Sequence, residues 1–241
     1  MKVTTVGTSH GLQQKTRRWS CQVLEINGFY YVIDAGADVA YWFIEKGLDI
    51  NKIRCFFITH PHKDHVGGLA SAVATINGYY REAETKFLLP NEAVKTFALF
   101  LVEQIAERPS SGKLSFEIYK EGVIYSDENL RVTAIPTQHK PYSYAFMVEA
   151  EGKKLLFTGD LHGYYIDMPK VAFDGSLDFI LCECAHQPME IVEEVFPKIK
   201  SKKFVLTHIG RRFPLSTLTE YRERSGVWFD IAEDDDVFEI E

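Results

Sequence analysis

The sequence has little of what secreted, membrane-spanning or nucleic-acid-coating proteins require. Only four of its 241 residues are cysteines, and no two have the C-x-x-C spacing of a structural zinc site, so we expect no disulfide framework. No apolar run is long enough to cross a bilayer, and the opening MKVTTVGTSHG has no signal-peptide core. We therefore expect a cytoplasmic protein with no membrane partner.

Positive charge is also scarce. The chain carries 27 Lys and Arg against 34 Asp and Glu, for a net charge of −7. A long nucleic acid needs a basic face that neutralises its phosphates, which argues against such a partner. Material for a core is plentiful, because 46% of the residues are hydrophobic. This composition is typical of a globular enzyme or binding domain.

Apolar periodicity predicts strands that first form a meander and then alternate with helices. The pair Asn27–Gly28 between two apolar runs predicts a hairpin. The segments HVGGLASAVATIN and NEAVKTFALFLVEQIAER are each predicted as one helix, the second capped by Asn91, and WFDIAEDDDVFEIE as a hairpin-like pair. We expect an α/β fold of packed layers and, because no linker is evident, a single domain over residues 1–241.

The densest chemical signal is ITHPHKDHVGGL at residues 58–69, which places three of the eight histidines beside an aspartate. His60 and His62 face the same side of an extended chain. Asp64 and His65 follow in the turn that begins the next helix. Imidazole and carboxylate groups without a nearby cysteine favour an open, catalytic metal site over a closed structural one.

Three further donors follow predicted strands. His139 comes after LRVTAIPTQ, Asp160 after KKLLFTG and His208 after KKFVLT. Strand ends converge on one edge of a layered α/β fold, where sites usually lie. A polar surface loop and ordinary strand caps are the alternatives for these residues.

The motifs THPHKDH, FTGD and LTH, with the intervening His139, resemble the metal-binding motifs of the metallo-β-lactamase superfamily over nearly the whole chain. The resemblance implies a four-layered αββα sandwich and two divalent ions, zinc or manganese, with iron as a further option. It assigns His60, His62 and His139 to one ion, Asp64, His65 and His208 to the other, and Asp160 to a bridge between them.

The outer motifs VGTSHG, HKPYSYAFMVE and LTHIGRRF resemble the phosphodiesterase-like branch, which includes ribonuclease Z and the cyclic ribose phosphodiesterase of phosphonate breakdown. Arg212 and Glu183 match positions of the ribonuclease Z pattern. Its second histidine motif is missing, however, and only twenty residues separate His139 from Asp160, which leaves no room for a tRNA-binding arm. The cysteine-rich zinc site of the second relative is also missing. We therefore expect a small-molecule phosphodiester substrate.

The expected mechanism is attack on phosphorus by a metal-bridging hydroxide, since two cations lower the pKa of a shared water. Asp64 would orient the nucleophile, and Arg212 would stabilise charge on the phosphoryl oxygens. His186, oriented by Glu183, would protonate the leaving oxygen. A surface histidine at a strand end and a solvated arginine are the alternatives.

Three other residues are candidates for substrate contacts or for support of the metal ligands: His10, Asp34 and His162. Two other functions stay open, a lactone or thioester hydrolase using the same site and a non-catalytic, metal-stabilised binding protein. The aromatic run FYYVIDAGADVAYWF could supply a homodimer interface. Substrate identity and the role of residues 78–130 are not determined by the sequence.

Overall fold

The computed structural model describes residues 1–107, 113–210, 212 and 214–241. The contacts divide the chain into two compact units. The first comprises residues 1–120 with 234–239 and 241, and the second comprises residues 121–233 with 240. The single domain expected over residues 1–241 stays a prediction.

The regular elements follow the predicted order closely. The strands are β1 (Lys2–Gly7), β2 (Cys21–Ile26), β3 (Phe29–Ile33), β4 (Ile53–Phe57), β5 (Lys86–Leu89), β6 (Ser115–Ile118), β7 (Gly122–Ser126), β8 (Leu130–Pro136), β9 (Tyr144–Ala150), β10 (Lys153–Phe157), β11 (Leu177–Glu183), β12 (Ser201–Thr207), β13 (Asp230–Ile231) and β14 (Asp236–Glu239). The α-helices are α1 (Val39–Glu45), α2 (Lys63–Val66), α3 (Leu69–Tyr79), α4 (Glu92–Leu99), α5 (Met189–Val195) and α6 (Leu215–Ser225). Shorter 3-10 turns span Ile50–Lys52, Gly163–Tyr165, Lys170–Phe173 and Phe196–Lys198, and a π-helical turn spans Phe100–Ile105.

The first unit contains a seven-stranded mixed sheet in the order β14-β1-β2-β3-β4-β5-β6. Strands β2 and β3 form the predicted hairpin. Asn27 and Gly28 adopt φ values of 50° and 76°, the left-handed geometry that this tight turn requires. Strands β3 to β6 are parallel, and the core beside them includes Phe43, Phe56 and Phe87.

The second unit contains another seven-stranded sheet, in the order β13-β12-β11-β10-β9-β8-β7. Strands β7 to β10 are antiparallel, whereas β10 to β13 run parallel to one another. All seven residues of β11 are buried, as expected for a central strand covered on both faces. Phe196, Phe204 and Phe229 pack in the core of this unit.

Two helix predictions need correction in their continuity. HVGGLASAVATIN is interrupted at Gly67–Gly68, so α2 and α3 are separate helices. The long helix after Asn91 changes from α to π geometry at Phe100, although Asn91 caps it as predicted by accepting from the Val94 N–H at 2.9 Å. Residues 108–112, where this prediction ends and the PSSGK loop was expected, lie outside the described residues.

The predicted hairpin at residues 228–241 is wrong. β13 pairs in parallel with β12, and β14 pairs in antiparallel fashion with β1. The two segments therefore join different sheets instead of each other. The alternating pattern that predicts each strand contains no information about which partner completes its ladder.

All four cysteines are buried, and none of them forms a disulfide bond. Burial raises the pKa of the Cys21 and Cys182 thiols well above its usual range, so neither is a reactive thiolate. In the part of the chain that the structure describes, no helix is both long and apolar enough to cross a bilayer.

Candidate metal centre

The histidine cluster lies at the end of β4 in the first unit. His60 follows the strand, and α2 then carries Asp64 and His65 back over the same edge. The ring centroid of His60 lies 4.8 Å from that of His62 and 4.0 Å from that of His65. Three imidazoles are therefore brought together by one short segment, of which His60, Asp64 and His65 are buried.

Asp34 anchors this cluster from the end of β3. Its Oδ2 lies 2.6 Å from His65 Nδ1, and both side chains are almost fully buried. The hydrogen bond places the proton on Nδ1 and leaves the lone pair of Nε2 for a cation, as in the carboxylate–histidine pairs that support bound metals. The φ of Asp34 is 58°, a left-handed conformation that Asp tolerates better than most residues.

Thr59 completes the support of the cluster and was not found from the sequence. Its Oγ1 donates to Asp34 Oδ2 at 2.9 Å and lies 3.0 Å from His60 Nδ1, and its backbone N–H donates to Asp34 Oδ1 at 2.8 Å. One hydroxyl thus joins the carboxylate to a second imidazole. Its position directly before His60 is the only sequence signal that could have indicated this role.

Close backbone approach is required beside α2. A Cβ placed on Gly36 would overlap the carbonyl oxygen of Asp64, so only glycine fits here without a shift. On the other side, a Cβ at Gly11 would lie 3.6 Å from the Asp64 carboxylate. The loop after β1, which carries the half-buried His10, therefore passes directly beside Asp64.

In the second unit the donors follow neighbouring strands. Because β10, β11 and β12 are parallel, Asp160, Glu183 and His208 follow or end these strands at one edge of the sheet. The φ of His208 is 51°, and such strain is concentrated at functional sites. The sheet topology thus accounts for the convergence that strand ends predict.

Three imidazoles surround the buried carboxylate of Asp160. His139 Nε2 lies 3.6 Å from Oδ2, His208 Nε2 lies 3.3 Å from Oδ1, and His186 Nε2 lies 3.9 Å from Oδ2. The separations of 3.6 and 3.9 Å exceed hydrogen-bond length, and all three suit groups that share a cation. The donor set of imidazole and carboxylate fits a divalent metal ion.

His186 is held by Glu183. Its Nδ1 lies 3.2 Å from Glu183 Oε1, and its ring centroid is 4.6 Å from that of His139. Glu183 is fully buried and also accepts the backbone N–H of Ala185 at 2.6 Å. The structure therefore brings together the two residues that the sequence analysis paired as acid and orienting carboxylate.

Two residues missed by the sequence analysis extend this network. Gln187 is fully buried and donates from Nε2 to Glu183 Oε1 at 3.2 Å. Asp167 accepts the backbone N–H groups of Gln138 at 2.6 Å and of His162 at 3.0 Å. Gln187 lies next to His186 in the chain, but neither Gln187 nor Asp167 belongs to a recognisable motif.

The remaining candidates have less defined surroundings. His162 is exposed, and its Nδ1 lies 2.8 Å from the carbonyl oxygen of Gly163. His10 Nδ1 accepts the Leu12 N–H at 3.4 Å. Arg212 is exposed, and its neighbours at 211 and 213 in the LTHIGRRF motif lie outside the described residues. The roles of these three residues stay predictions.

Comparison with solved structures identifies the fold. The metallo-β-lactamase fold protein YhfI from Bacillus subtilis superposes with a TM-score of 0.77 at 16% identity, covering 99% of both chains. Human tRNase Z, short form, superposes with a TM-score of 0.72 at 20% identity, covering both chains completely. The predicted α/β fold of metallo-β-lactamase type is confirmed.

Sequence comparison identifies the family. The family model of the anti-Pycsar protein Apyc1 matches residues 1–209, and the chain belongs to this family. Ribonuclease Z of Shouchella clausii is 28% identical over 158 residues, which cover 64% of this chain and 49% of the relative. The chain thus spans about half the length of the curated relatives it matches. The predicted resemblance to ribonuclease Z is confirmed.

Proposed function

We propose that this chain is a metal-dependent hydrolase that cleaves a small or cyclic, nucleotide-like phosphodiester. The observation that carries the proposal is the buried Asp160 carboxylate between the imidazoles of His139, His186 and His208. Sequence similarity to ribonuclease Z supports phosphodiester chemistry. The net charge of −7 and the short interval between His139 and Asp160 argue for a small substrate over tRNA.

Seven imidazole and carboxylate side chains are proposed to hold two divalent ions, zinc or manganese. They are His60, His62, Asp64, His65, His139, Asp160 and His208. When bound, such ions supply hydroxide at neutral pH and neutralise phosphoryl charge. Asp34 keeps the proton of His65 on Nδ1. Asp64 would bind a metal ion and orient the attacking nucleophile.

His186 is the proposed general acid. Glu183 Oε1 holds its Nδ1 at 3.2 Å, so the ring presents Nε2 to the side of Asp160. A proton on Nε2 can then pass to the leaving alkoxide oxygen as the ester bond to phosphorus breaks. Arg212 is proposed to pair with the phosphoryl oxygens.

The test pairs metal content with turnover in one preparation. Protein purified without added metal is analysed by mass spectrometry and then assayed, with zinc or manganese, on a cyclic ribonucleotide, on bis(p-nitrophenyl) phosphate and on a generic lactone. About two ions per chain and cleavage of the phosphodiesters is the expected result. Cleavage of the lactone alone would replace the proposal with a carbonyl-ester hydrolase, and metal binding without turnover would indicate a binding protein.

A further inference from the structure

Two consecutive tyrosines after Asp160 adopt a backbone conformation that tyrosine rarely takes. The φ angle is 70° at Tyr164 and 48° at Tyr165. A bulky residue in the left-handed region is strained, and strain persists only where the surroundings enforce it. The residues that enforce it here are therefore informative about what the segment does.

Buried hydrogen bonds hold one end of this segment. Tyr165 is 5% exposed, and its hydroxyl donates to the carbonyl oxygen of Glu183 at 2.8 Å. Its backbone N–H donates to Gln187 Oε1 at 3.1 Å, while Gln187 Nε2 donates to the carbonyl oxygen of His162 at 3.1 Å. The strained turn is thus fastened to the residues that hold His186.

The other end is fastened to the loop that carries His139. The carboxylate of Asp167 accepts the N–H of His162 at 3.0 Å and that of Gln138 at 2.6 Å. A Cβ at Gly163 would lie 3.7 Å from the His186 carbonyl oxygen. The tyrosine turn therefore lies between two loops of the second unit that carry candidate site residues.

Within this rigid turn the ring of Tyr164 points outward. Tyr164 is 62% exposed, although its neighbour Tyr165 is buried. An exposed aromatic ring on a turn that is fastened to the loops of His139 and His186 offers a planar surface without a fixed hydrogen-bond pattern. Stacking on such a surface recognises any nucleobase, since every base has a π-face.

We propose that Tyr164 is a stacking platform for the planar base of the substrate and thereby selects base-bearing phosphodiesters. The inference rests on the proposed function and adds to it that the substrate carries a planar base. Tyr164 is assigned no part in bond cleavage. Removing its ring should therefore weaken the binding of base-bearing ligands and leave the chemical step unchanged.

The experiment compares a cyclic ribonucleotide with a cyclic ribose phosphate in which a methoxy group replaces the base. The variants are Tyr164→Phe, which keeps the ring, and Tyr164→Gly, which removes it at a φ that glycine adopts readily. Tyr79→Ala removes another exposed tyrosine, 84% accessible, from the end of α3 and serves as the control. Unfolding temperatures show whether each variant folds.

With Tyr164→Gly we expect KM for the cyclic ribonucleotide to rise about 5- to 100-fold, while its kcat changes little. The kinetic constants for the base-free substrate should also change little. Tyr164→Phe and Tyr79→Ala should resemble the wild type. By calorimetry, Tyr164→Gly should also weaken the binding of a nucleoside monophosphate more than the binding of ribose 5-phosphate. We expect its Tm to stay within about 4 °C of the wild type.

Equal losses on both substrates, or no loss on either, would overturn the stacking role while leaving the proposed phosphodiesterase in place. If the wild-type protein cleaves neither substrate after metal loading, the proposed function itself fails, and the inference fails with it. A Tyr164→Gly variant that does not fold would show that the ring has a structural role, which also contradicts the proposal.

Discussion

The candidate metal donors of the first unit and those of the second unit differ in how they are distributed along the chain. In the first unit, one segment of six residues supplies His60, His62, Asp64 and His65. In the second unit, His139, Asp160 and His208 are separated by many residues and follow three different strands. The placement of the first unit's donors depends on local geometry and one close backbone approach, whereas that of the second unit's donors depends on the order and direction of strands in a sheet.

The side chains that support these donors also differ between the two units. In the first unit, Asp34 and Thr59 hold imidazole nitrogens directly. In the second unit, Glu183 and Gln187 hold His186 and the loop beside it. Substitutions in the two units should therefore have different signatures, and four predictions test this difference, from the largest expected effect to the smallest.

Asp160→Asn should abolish measurable turnover and lower the bound metal below two ions per chain. The change removes the negative charge that faces three imidazoles in the second unit, and a neutral amide is a weaker ligand. Metal analysis and phosphodiester turnover measure the effect, with the exposed Asp174→Asn as the control. Full metal content with normal turnover would exclude Asp160 from the centre.

His186→Gln should slow cleavage of a substrate with an alkoxide leaving group by about 10²–10⁴-fold. The loss should be much smaller for bis(p-nitrophenyl) phosphate, because p-nitrophenolate leaves without protonation. Metal content should remain that of the wild type. Equal losses on the two substrates would contradict a general acid and indicate a ligand or a structural role.

Asp34→Asn should lower metal affinity or activity by about 10- to 100-fold, the usual cost of removing a carboxylate that supports a metal-bound histidine. The amide can no longer fix the proton on His65 Nδ1. Titration against a competing chelator measures affinity. Asp38→Asn, which alters the exposed N-cap of α1, is the matched control, and an equal effect of both substitutions would refute the specific role of Asp34.

Gly36→Ala should destabilise the protein by about 1–3 kcal/mol, because the added methyl group overlaps the backbone of Asp64. Gly210→Ala, whose Cβ would lie 2.8 Å from the Ala185 backbone, should cost less. Gly78→Ala in α3 meets nothing within 4 Å and should stabilise by about 0.5–1 kcal/mol. Chemical denaturation measures the free energy of unfolding of all three variants. A larger loss for Gly210→Ala than for Gly36→Ala would contradict the expectation that the close backbone approach is tighter in the first unit.

Most strands and helices could be predicted because their signals are local. The β2–β3 hairpin follows from Asn27–Gly28, and the start of α4 follows from Asn91. The failures concern features that depend on distant partners. The last two strands were predicted to pair with each other, yet each completes a different sheet, because edge positions in a sheet are assigned by the whole topology.

The candidate site shows the same division. The cluster at residues 60–65 and the donors His139, Asp160 and His208 stand out by residue type and by their positions after strands. Thr59, Gln187 and Asp167 do not, since a threonine, a glutamine or an aspartate in a loop has many ordinary roles. Only the hydrogen bonds of the folded chain separate these residues from others of their type.

The sequence by itself determined the class of fold, the donor chemistry and the chain order of the metal motifs, because periodicity and residue type are written along one dimension. The tertiary structure alone decided which strand completes each sheet, which carboxylate holds which imidazole, and that Tyr164 is presented on a strained, rigid turn. These features depend on buried hydrogen bonds between residues far apart in the chain, as from Tyr165 to Glu183, and such contacts exist only after folding has excluded water from them.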